Sequence, residues 1–211
     1  MLVAHASDTH DKPSIVRQIA SSQAEVLLLT GDIMNNRGRV SNGPFPGMIV
    51  PHLERTYQNS WFRKQAKKWA ADLKGRPVIT VSGNHHFISP VRWLEHYGVR
   101  VFEINRETRY VDLLGKRWAG FREINYIRGE WSHEDVGPGI FDAMEAMREC
   151  KPDVLLTHAP PYGILDTHYG HQDGIRPLIN HLMYEDHQVT HHFFGHCHKC
   201  GGETQEVGGI Q

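Results

Sequence analysis

The sequence predicts an α/β fold, because short apolar runs alternate with segments that have helical spacing. The predicted strands are residues 2–4, 26–29, 78–81, 154–156 and 192–194. The predicted helices are residues 13–21, 61–73, 90–97, 140–150 and 175–184. Short apolar runs bounded by Gly, Pro or polar residues are typical of buried strands, and helices between them indicate strand-helix-strand units.

The first helix shows the pattern that supports these assignments. Ile15, Val16 and Ile19 fall on one face of it, as expected for a helix that covers a sheet. Pro13 suits a first helical turn, where its missing N–H is not needed. Asp11 precedes the helix and is expected to cap the first amide groups.

Two stretches interrupt the alternation of strands and helices. Residues 33–58 are rich in Gly, Pro and Asn and are predicted to form a loop. Residues 99–121 have the pattern of several short strands, with a hairpin turning at Gly115 and Lys116. A hairpin indicates a mixed rather than a purely parallel sheet system. Residues 203–207 are predicted to add one further strand.

The composition is that of an ordinary globular protein. The 211 residues are 39% hydrophobic and 22% charged, with 23 Lys and Arg against 24 Asp and Glu. This length suits one domain, predicted to span residues 1–211, and the charge balance gives no basic groove for nucleic acid. No apolar run is long enough to cross a membrane and no leader is visible, so a cytoplasmic protein without a membrane partner is expected.

The three cysteines are predicted to be reduced thiols, because their number is odd. Cys197 and Cys200 interleave with His196 and His198, a spacing that also occurs in structural zinc sites. Alternation along a strand directs Cys197 away from its histidine neighbours, and a closed zinc site would leave the upstream motifs unexplained. A zinc knuckle is therefore not the favoured interpretation.

Potential metal ligands follow the predicted strands. In chain order, the motifs are Asp8-Thr9-His10, Gly31-Asp32, Gly83-Asn84-His85-His86, Thr157-His158 and Gly195-His196-Cys197-His198. Loops at the carboxyl ends of strands in an open α/β sheet converge on one crevice. Ligands two positions apart point the same way in an extended segment, and a preceding Gly lets the backbone approach closely. The motifs therefore predict a single shared site.

The residue types indicate the chemistry of that site. Carboxylate oxygens, imidazole nitrogens and an amide oxygen form a ligand shell suited to Mn, Fe or Zn. Two such cations, about 3.5–4 Å apart, can hold a phosphate ester and generate hydroxide from bridging water. Each motif alone has a structural explanation, since Asp8 and Asp32 would also serve as helix caps or turn residues. Their ordered co-occurrence favours the metal site.

From residue 8 to residue 198, these motifs resemble the pattern of the calcineurin-like metallophosphoesterase superfamily. The resemblance implies a four-layer αββα sandwich, in which two mixed β-sheets are flanked by helices. It implies one metal bound by Asp8, His10 and His198 and a second bound by Asn84, His158 and His196, with Asp32 bridging both.

The resemblance also implies that His85 contacts the phosphate or protonates the leaving group. The chain departs from the family at His86, where many members carry an acidic residue that supports the histidine acid. The segment after Asp32 is only loosely like the Arg-bearing loop of protein phosphatases, and Arg37 is its candidate phosphate contact. The orientation of His85 is therefore an open question at this point.

The predicted function is hydrolysis of a small phosphate ester, nucleotides included, by a hydroxide that bridges two divalent cations. Monoesters and diesters both remain open, although His158-Ala159-Pro160-Pro161 resembles a stretch found in small single-domain phosphodiesterases. The alternative is a catalytically weak metal-binding scaffold of the same fold that acts as an interaction module. A nuclease is disfavoured, because the chain has no basic groove for a strand. Residues 33–58 and 120–135 are expected to determine specificity.

Overall fold

The computed structural model describes residues 1–41, 46–168 and 170–211. The helices are α1 (Pro13–Ala20), α2 (Pro51–Leu73), α3 (Val91–His96), α4 (Pro138–Cys150) and α5 (Arg176–Tyr184), and a 3₁₀ turn spans His198–Cys200. The strands are β1 (Val3–Ala6), β2 (Val26–Thr30), β3 (Val78–Val81), β4 (Val101–Glu103), β5 (Tyr110–Leu113), β6 (Lys116–Phe121), β7 (Ile124–Asn125), β8 (Glu134–Asp135), β9 (Val154–Thr157), β10 (Thr167–His168), β11 (His171–Gln172) and β12 (His191–Phe193).

Two four-stranded sheets form the centre of the molecule. The first has the order β1-β2-β3-β4 and is parallel throughout. The second has the order β12-β9-β6-β5, and only its β5-β6 pair is antiparallel. The mixed character predicted from the hairpin is thus confined to the second sheet.

The alternation of side chains along β2 shows how the layers stack. Leu27 and Leu29 are buried against α1, α2 and α3, whereas Val26 and Leu28 are buried between the two sheets. Trp118 of β6, fully buried, contributes to the same intersheet core. On the far side, α4 and α5 cover the second sheet. The layers are therefore helix, sheet, sheet and helix, as predicted.

The boundaries of several elements differ from those predicted. Helix α2 begins at Pro51, so the last part of the predicted loop is helical, while residues 42–45 of that loop lie outside the described residues. Pro51 occupies the first helical turn and Glu54 supplies an acidic group there, both of which favour a helix start. The predicted loop was therefore too long.

Three local predictions were wrong. The hairpin turns at Leu114 and Gly115, both with positive φ (52° and 72°), one residue earlier than predicted and as a type I′ turn requires. Asp11 does not cap α1, because the N-cap residue is Lys12. The Asp11 carboxylate instead accepts a hydrogen bond from Trp61 Nε1. Residues 203–207 contain no strand, and only Val207 bridges Ile210.

The topology brings the ends of five strands to one place. Strands β1, β2 and β3 run parallel in the first sheet, as do β9 and β12 in the second, so each group delivers its following loops to one edge. Among the described residues, no helix has the length and apolar character needed to cross a membrane.

Candidate metal centre

The predicted ligands all follow strands at this edge. Asp8 and His10 follow β1, Asp32 follows β2, Asn84 and His85 follow β3, His158 follows β9, and His196 and His198 follow β12. The structure brings all of these side chains together. They form two groups, which differ in how far solvent reaches them.

The exposed group consists of Asp8, His10 and His198. Asp8 Oδ1 lies 3.1 Å from His198 Nε2 and 4.0 Å from His10 Nε2. The two histidine Nε2 atoms are 3.3 Å apart. The exposed fraction of the side chain rises from 11% for Asp8 to 26% for His10 and 55% for His198. Three donor atoms thus converge at the rim of the crevice.

The buried group consists of Asn84, His158 and His196. Asn84 Oδ1 lies 3.0 Å from His158 Nε2 and 3.2 Å from His196 Nδ1. All three residues are buried, and His158 is completely so. The amide oxygen of Asn84 therefore sits between two imidazole nitrogens in the interior of the crevice.

Asp32 lies between the two groups. Its Oδ2 is 3.2 Å from His158 Nε2 in the buried group. Donor atoms of Asp32, Asp8 and His158 all lie within 4.8 Å of one another, and the same is true of Asp32, His10 and His85. A single buried carboxylate is thus within reach of both groups, the position expected of a bridging ligand.

The backbone of this region is in an uncommon conformation. Asp8, His10, Asp32 and His196 all have positive φ, at 51°, 38°, 50° and 68°. Non-glycine residues rarely adopt such angles, and their clustering is typical of functional sites. The prediction that these ligand pairs lie in extended segments was therefore wrong, although Asp8 and His10 do reach the same group of donors. His196 turns to Asn84, whereas His198 turns to Asp8.

Two glycines are required by close packing around the ligands. A Cβ atom at Gly83 would collide with the Asp32 carboxylate and lie 2.7 Å from His158 Cε1. A Cβ atom at Gly195 would collide with Ser7 Oγ and the Asp8 carboxylate. Any larger residue at either position would push a predicted ligand away.

Neighbouring histidines keep the carboxyl groups of Asp32 and Asp8 ionised. Burial opposes ionisation of Asp32, but the charge of His158, followed by that of His85, holds the pKa of Asp32 well below its usual range. Burial likewise opposes ionisation of Asp8, and the hydrogen bond to His198 lowers its pKa. Burial lowers the pKa of His158, but Asp32 outweighs it and raises the value to about 9.

The donor set fits divalent cations. It offers two carboxylates, one amide oxygen and four imidazoles, which suit Mn, Fe or Zn. His158 Nδ1 is 2.8 Å from the Thr30 carbonyl, so its ring is oriented by the protein with Nε2 turned to Asp32 and Asn84. Such support behind a ligand is usual in metal sites.

His85 is held in place by Asn36 rather than by an acidic neighbour. Its Nδ1 is 2.7 Å from Asn36 Oδ1. The Asn36 amide nitrogen donates to Glu54 and to the His85 carbonyl, so Asn36 Oδ1 must accept and His85 Nδ1 must donate. His85 Nε2 then faces the cluster, 3.9 Å from Asp32 Oδ2. Burial, partly offset by Asp32, lowers the pKa of His85.

Sequence reasoning missed the residues that support His85. Glu54 and Gln58, both buried, project from α2. Glu54 accepts from the backbone N–H groups of Arg37 and Gly38, and Gln58 Nε2 donates to the His85 carbonyl. Their i, i+4 spacing is a helical signal, but it fell inside the segment predicted to be a loop.

The two loops predicted to determine specificity meet beside His85. The Trp131 ring lies 4.1 Å from the His85 ring between centroids. Arg39 of the first loop forms a 2.7 Å ion pair with Glu130 of the second. The described parts of both loops therefore border the crevice.

Other residues raised by the sequence have different surroundings. His86 is buried and its Nε2 accepts from Ile33 N, so it supports the loop that carries Asp32. Arg37 is exposed. Cys197 is a buried free thiol whose pKa is raised by burial to about 12, and Cys200 is also free. Within the described part of the chain, the clusters of converging metal donors include no cysteine.

Fold and site together define an α/β sandwich protein with a preformed cluster of potential metal donors. The chain matches the family model described as Calcineurin-like phosphoesterase over residues 1–200. It belongs to this family, which supports phosphoester hydrolysis in general. No curated protein sequence matches the chain.

Proposed function

We propose that the protein hydrolyses small phosphate esters, nucleotides included, with two divalent cations of Mn, Fe or Zn. Asp8, His10 and His198 would hold one cation, Asn84, His158 and His196 the other, and Asp32 both. The observation that carries this proposal is the position of Asp32, whose carboxylate is within reach of donors from both groups.

When bound, the two cations supply an activated water for attack on phosphorus and neutralise charge on the phosphoryl oxygens. The protein supplies their placement. Asp32 is fixed by its contact with His158 and by the His85 N–H, which donates to Asp32 Oδ1 over 2.8 Å. Preorganised donors of this kind need no rearrangement during reaction.

His85 is the residue placed to protonate the leaving oxygen. Its Nδ1–H is committed to Asn36, so Nε2 is the nitrogen available to the substrate. Because burial lowers the pKa of His85, Nε2 must take up a proton before it can act as the acid, and the negative charge of a bound phosphate ester favours that protonation. The side chain is 26% exposed at the edge of the cluster, which allows contact with a leaving group. General acid assistance of this type contributes about 10²–10⁴-fold to rates.

Turnover with added Mn²⁺ tests the function directly. We expect release of nitrophenol from p-nitrophenyl phosphate or bis-p-nitrophenyl phosphate above the buffer rate, and about two metals per chain by elemental analysis. A metal-loaded protein that hydrolyses neither ester would instead support the scaffold alternative. A metal content that stays near one would contradict the two-cation arrangement.

Leaving groups of different quality test the role of His85. Alkyl esters need a proton at the leaving oxygen, whereas nitrophenolate departs unaided. His85→Asn should therefore reduce kcat/KM for an alkyl phosphate at least about tenfold more than for the matching p-nitrophenyl ester. His86→Asn is the comparison variant, since a selective loss on the alkyl ester there instead would assign the acid role to His86. Equal losses on both esters in His85→Asn, with unchanged metal content, would rule out the acid role.

A further inference from the structure

Arg122 lies beside the buried group, directly after the neighbouring strand β6. Strands β6 and β9 end in a pair formed by Phe121 and Thr157. The residues that follow this pair, Arg122 and His158, are therefore neighbours. Trp118 faces the intersheet core and Phe121 faces the helices. Alternation therefore directs Arg122 to the intersheet side, where His158 also points.

Among the described residues, no carboxylate is paired with the guanidinium of Arg122. Its Nε is buried without a hydrogen-bond partner in the described part of the chain. Glu123 is committed to Arg106, whose Nε lies 2.8 Å from it. Across the described residues, no ion pair involves Arg122.

His133, a titrating neighbour of Arg122, supplies no negative charge either. Burial, followed by the charge of Arg122, lowers the pKa of His133 to about 3, so this histidine is neutral. Arg117, on the same strand, is by contrast paired with Asp112 at 2.9 Å. A partly buried cation without a counterion is costly, and an anion that enters the crevice removes that cost.

We propose that Arg122 binds a non-bridging phosphoryl oxygen of the substrate and so directs the site toward phosphomonoesters. This inference rests on the proposed function. Two cations can engage two non-bridging oxygens, and a monoester dianion carries a third oxygen that needs a positive partner. In a diester that third oxygen is esterified and carries no charge. Arginine suits this task because its planar fork matches phosphate oxygens.

Paired substrates give the test. Arg122→Met should lower kcat/KM for p-nitrophenyl phosphate by about tenfold to a hundredfold and for bis-p-nitrophenyl phosphate by less than about threefold. Arg122→Lys should retain part of the preference for the monoester over the diester, since the positive charge remains. Inorganic phosphate should bind the metal-loaded Arg122→Met protein correspondingly more weakly in calorimetry, a readout that needs no turnover.

Arg117→Met is the matched control, because it removes an arginine from the other end of the same strand. It should leave the ratio of monoester to diester rates and the phosphate affinity unchanged. Equal losses on both esters in Arg122→Met, or unaltered phosphate binding with unaltered metal content, would overturn the proposal. If the wild-type protein hydrolyses neither ester, the proposed function fails, and phosphate binding alone then decides for or against Arg122.

Discussion

The buried and exposed groups of the candidate metal centre are built on different parts of the two sheets. Asn84 and His158 follow β3 and β9, which are inner strands of their sheets. Asp8 and His198 follow β1 and β12, which are edge strands. His196 also follows β12 but turns inward to Asn84. The inner strands thus supply donors fixed deep in the crevice, and the edges supply the rim.

This difference shows where the protein alone orders its ligands. His158 is completely buried and oriented by the Thr30 carbonyl, so its position follows from folding. In the exposed group, His198 is 3.1 Å from Asp8 and 3.3 Å from His10. Since the His198 side chain is 55% exposed whereas His158 is completely buried, we infer that a bound cation contributes more to the order of the exposed group than to that of the buried group.

The largest expected effect comes from the residue that joins the two groups. Asp32→Asn should reduce kcat/KM by at least about a hundredfold and leave fewer than about one metal per chain, because a neutral amide bridges two cations poorly. His198→Ala should retain the metal of the buried group. Elemental analysis after loading with Mn²⁺ measures both. Equal metal contents in the two variants would contradict a bridging role for Asp32.

Stability of the metal-free protein compares the two groups directly. His158→Ala should lower the free energy of unfolding by about 3–5 kcal/mol, because it removes a buried side chain and leaves Asp32 without its partner. His198→Ala should cost under about 1 kcal/mol, since that side chain is 55% exposed. Urea denaturation after chelation measures both values. Similar losses in the two variants would remove the distinction between the groups.

The convergence of the seven candidate ligands could be predicted from sequence because each follows a strand and belongs to a short local motif. The layered fold could be predicted for a related reason, since the apolar runs are clear. The conformation of the ligands could not: positive φ at Asp8 and His196 depends on packing between loops distant in sequence.

The residues that support His85 could not be predicted from sequence for a different reason. Asn36 and Glu54 meet only because α2 begins at Pro51 and folds back over the loop that follows Asp32. No local motif marks that contact. Arg122 was likewise inconspicuous, since its position beside His158 follows from the register between β6 and β9.

The last expected effect concerns the loss of stability in acid and involves β12, the edge strand that precedes His198. His192 on β12 is buried, and its Nε2 lies 2.8 Å from Thr157 Oγ1. The Thr157 hydroxyl donates to the Ala159 carbonyl, so neutral His192 donates to Thr157 through Nε2. Burial, followed by the charge of His5, lowers the pKa of His192 from 6.5 to about 3.

Between pH 6.5 and about 3, the unfolded chain therefore binds a proton at this histidine that the folded protein does not. The stabilising contribution is complete above pH 6.5 and is lost as the pH falls toward 3. From pH 7 to pH 5 this amounts to about 2 kcal/mol for one group. The variant His192→Gln keeps an N–H donor but cannot titrate. Between pH 7 and pH 5, the free energy of unfolding of this variant should therefore fall by about 2 kcal/mol less than that of the wild-type protein. Urea denaturation of both metal-free proteins at the two pH values measures the difference, and parallel pH profiles would show that His192 is not an acid-sensitive support of the edge strand.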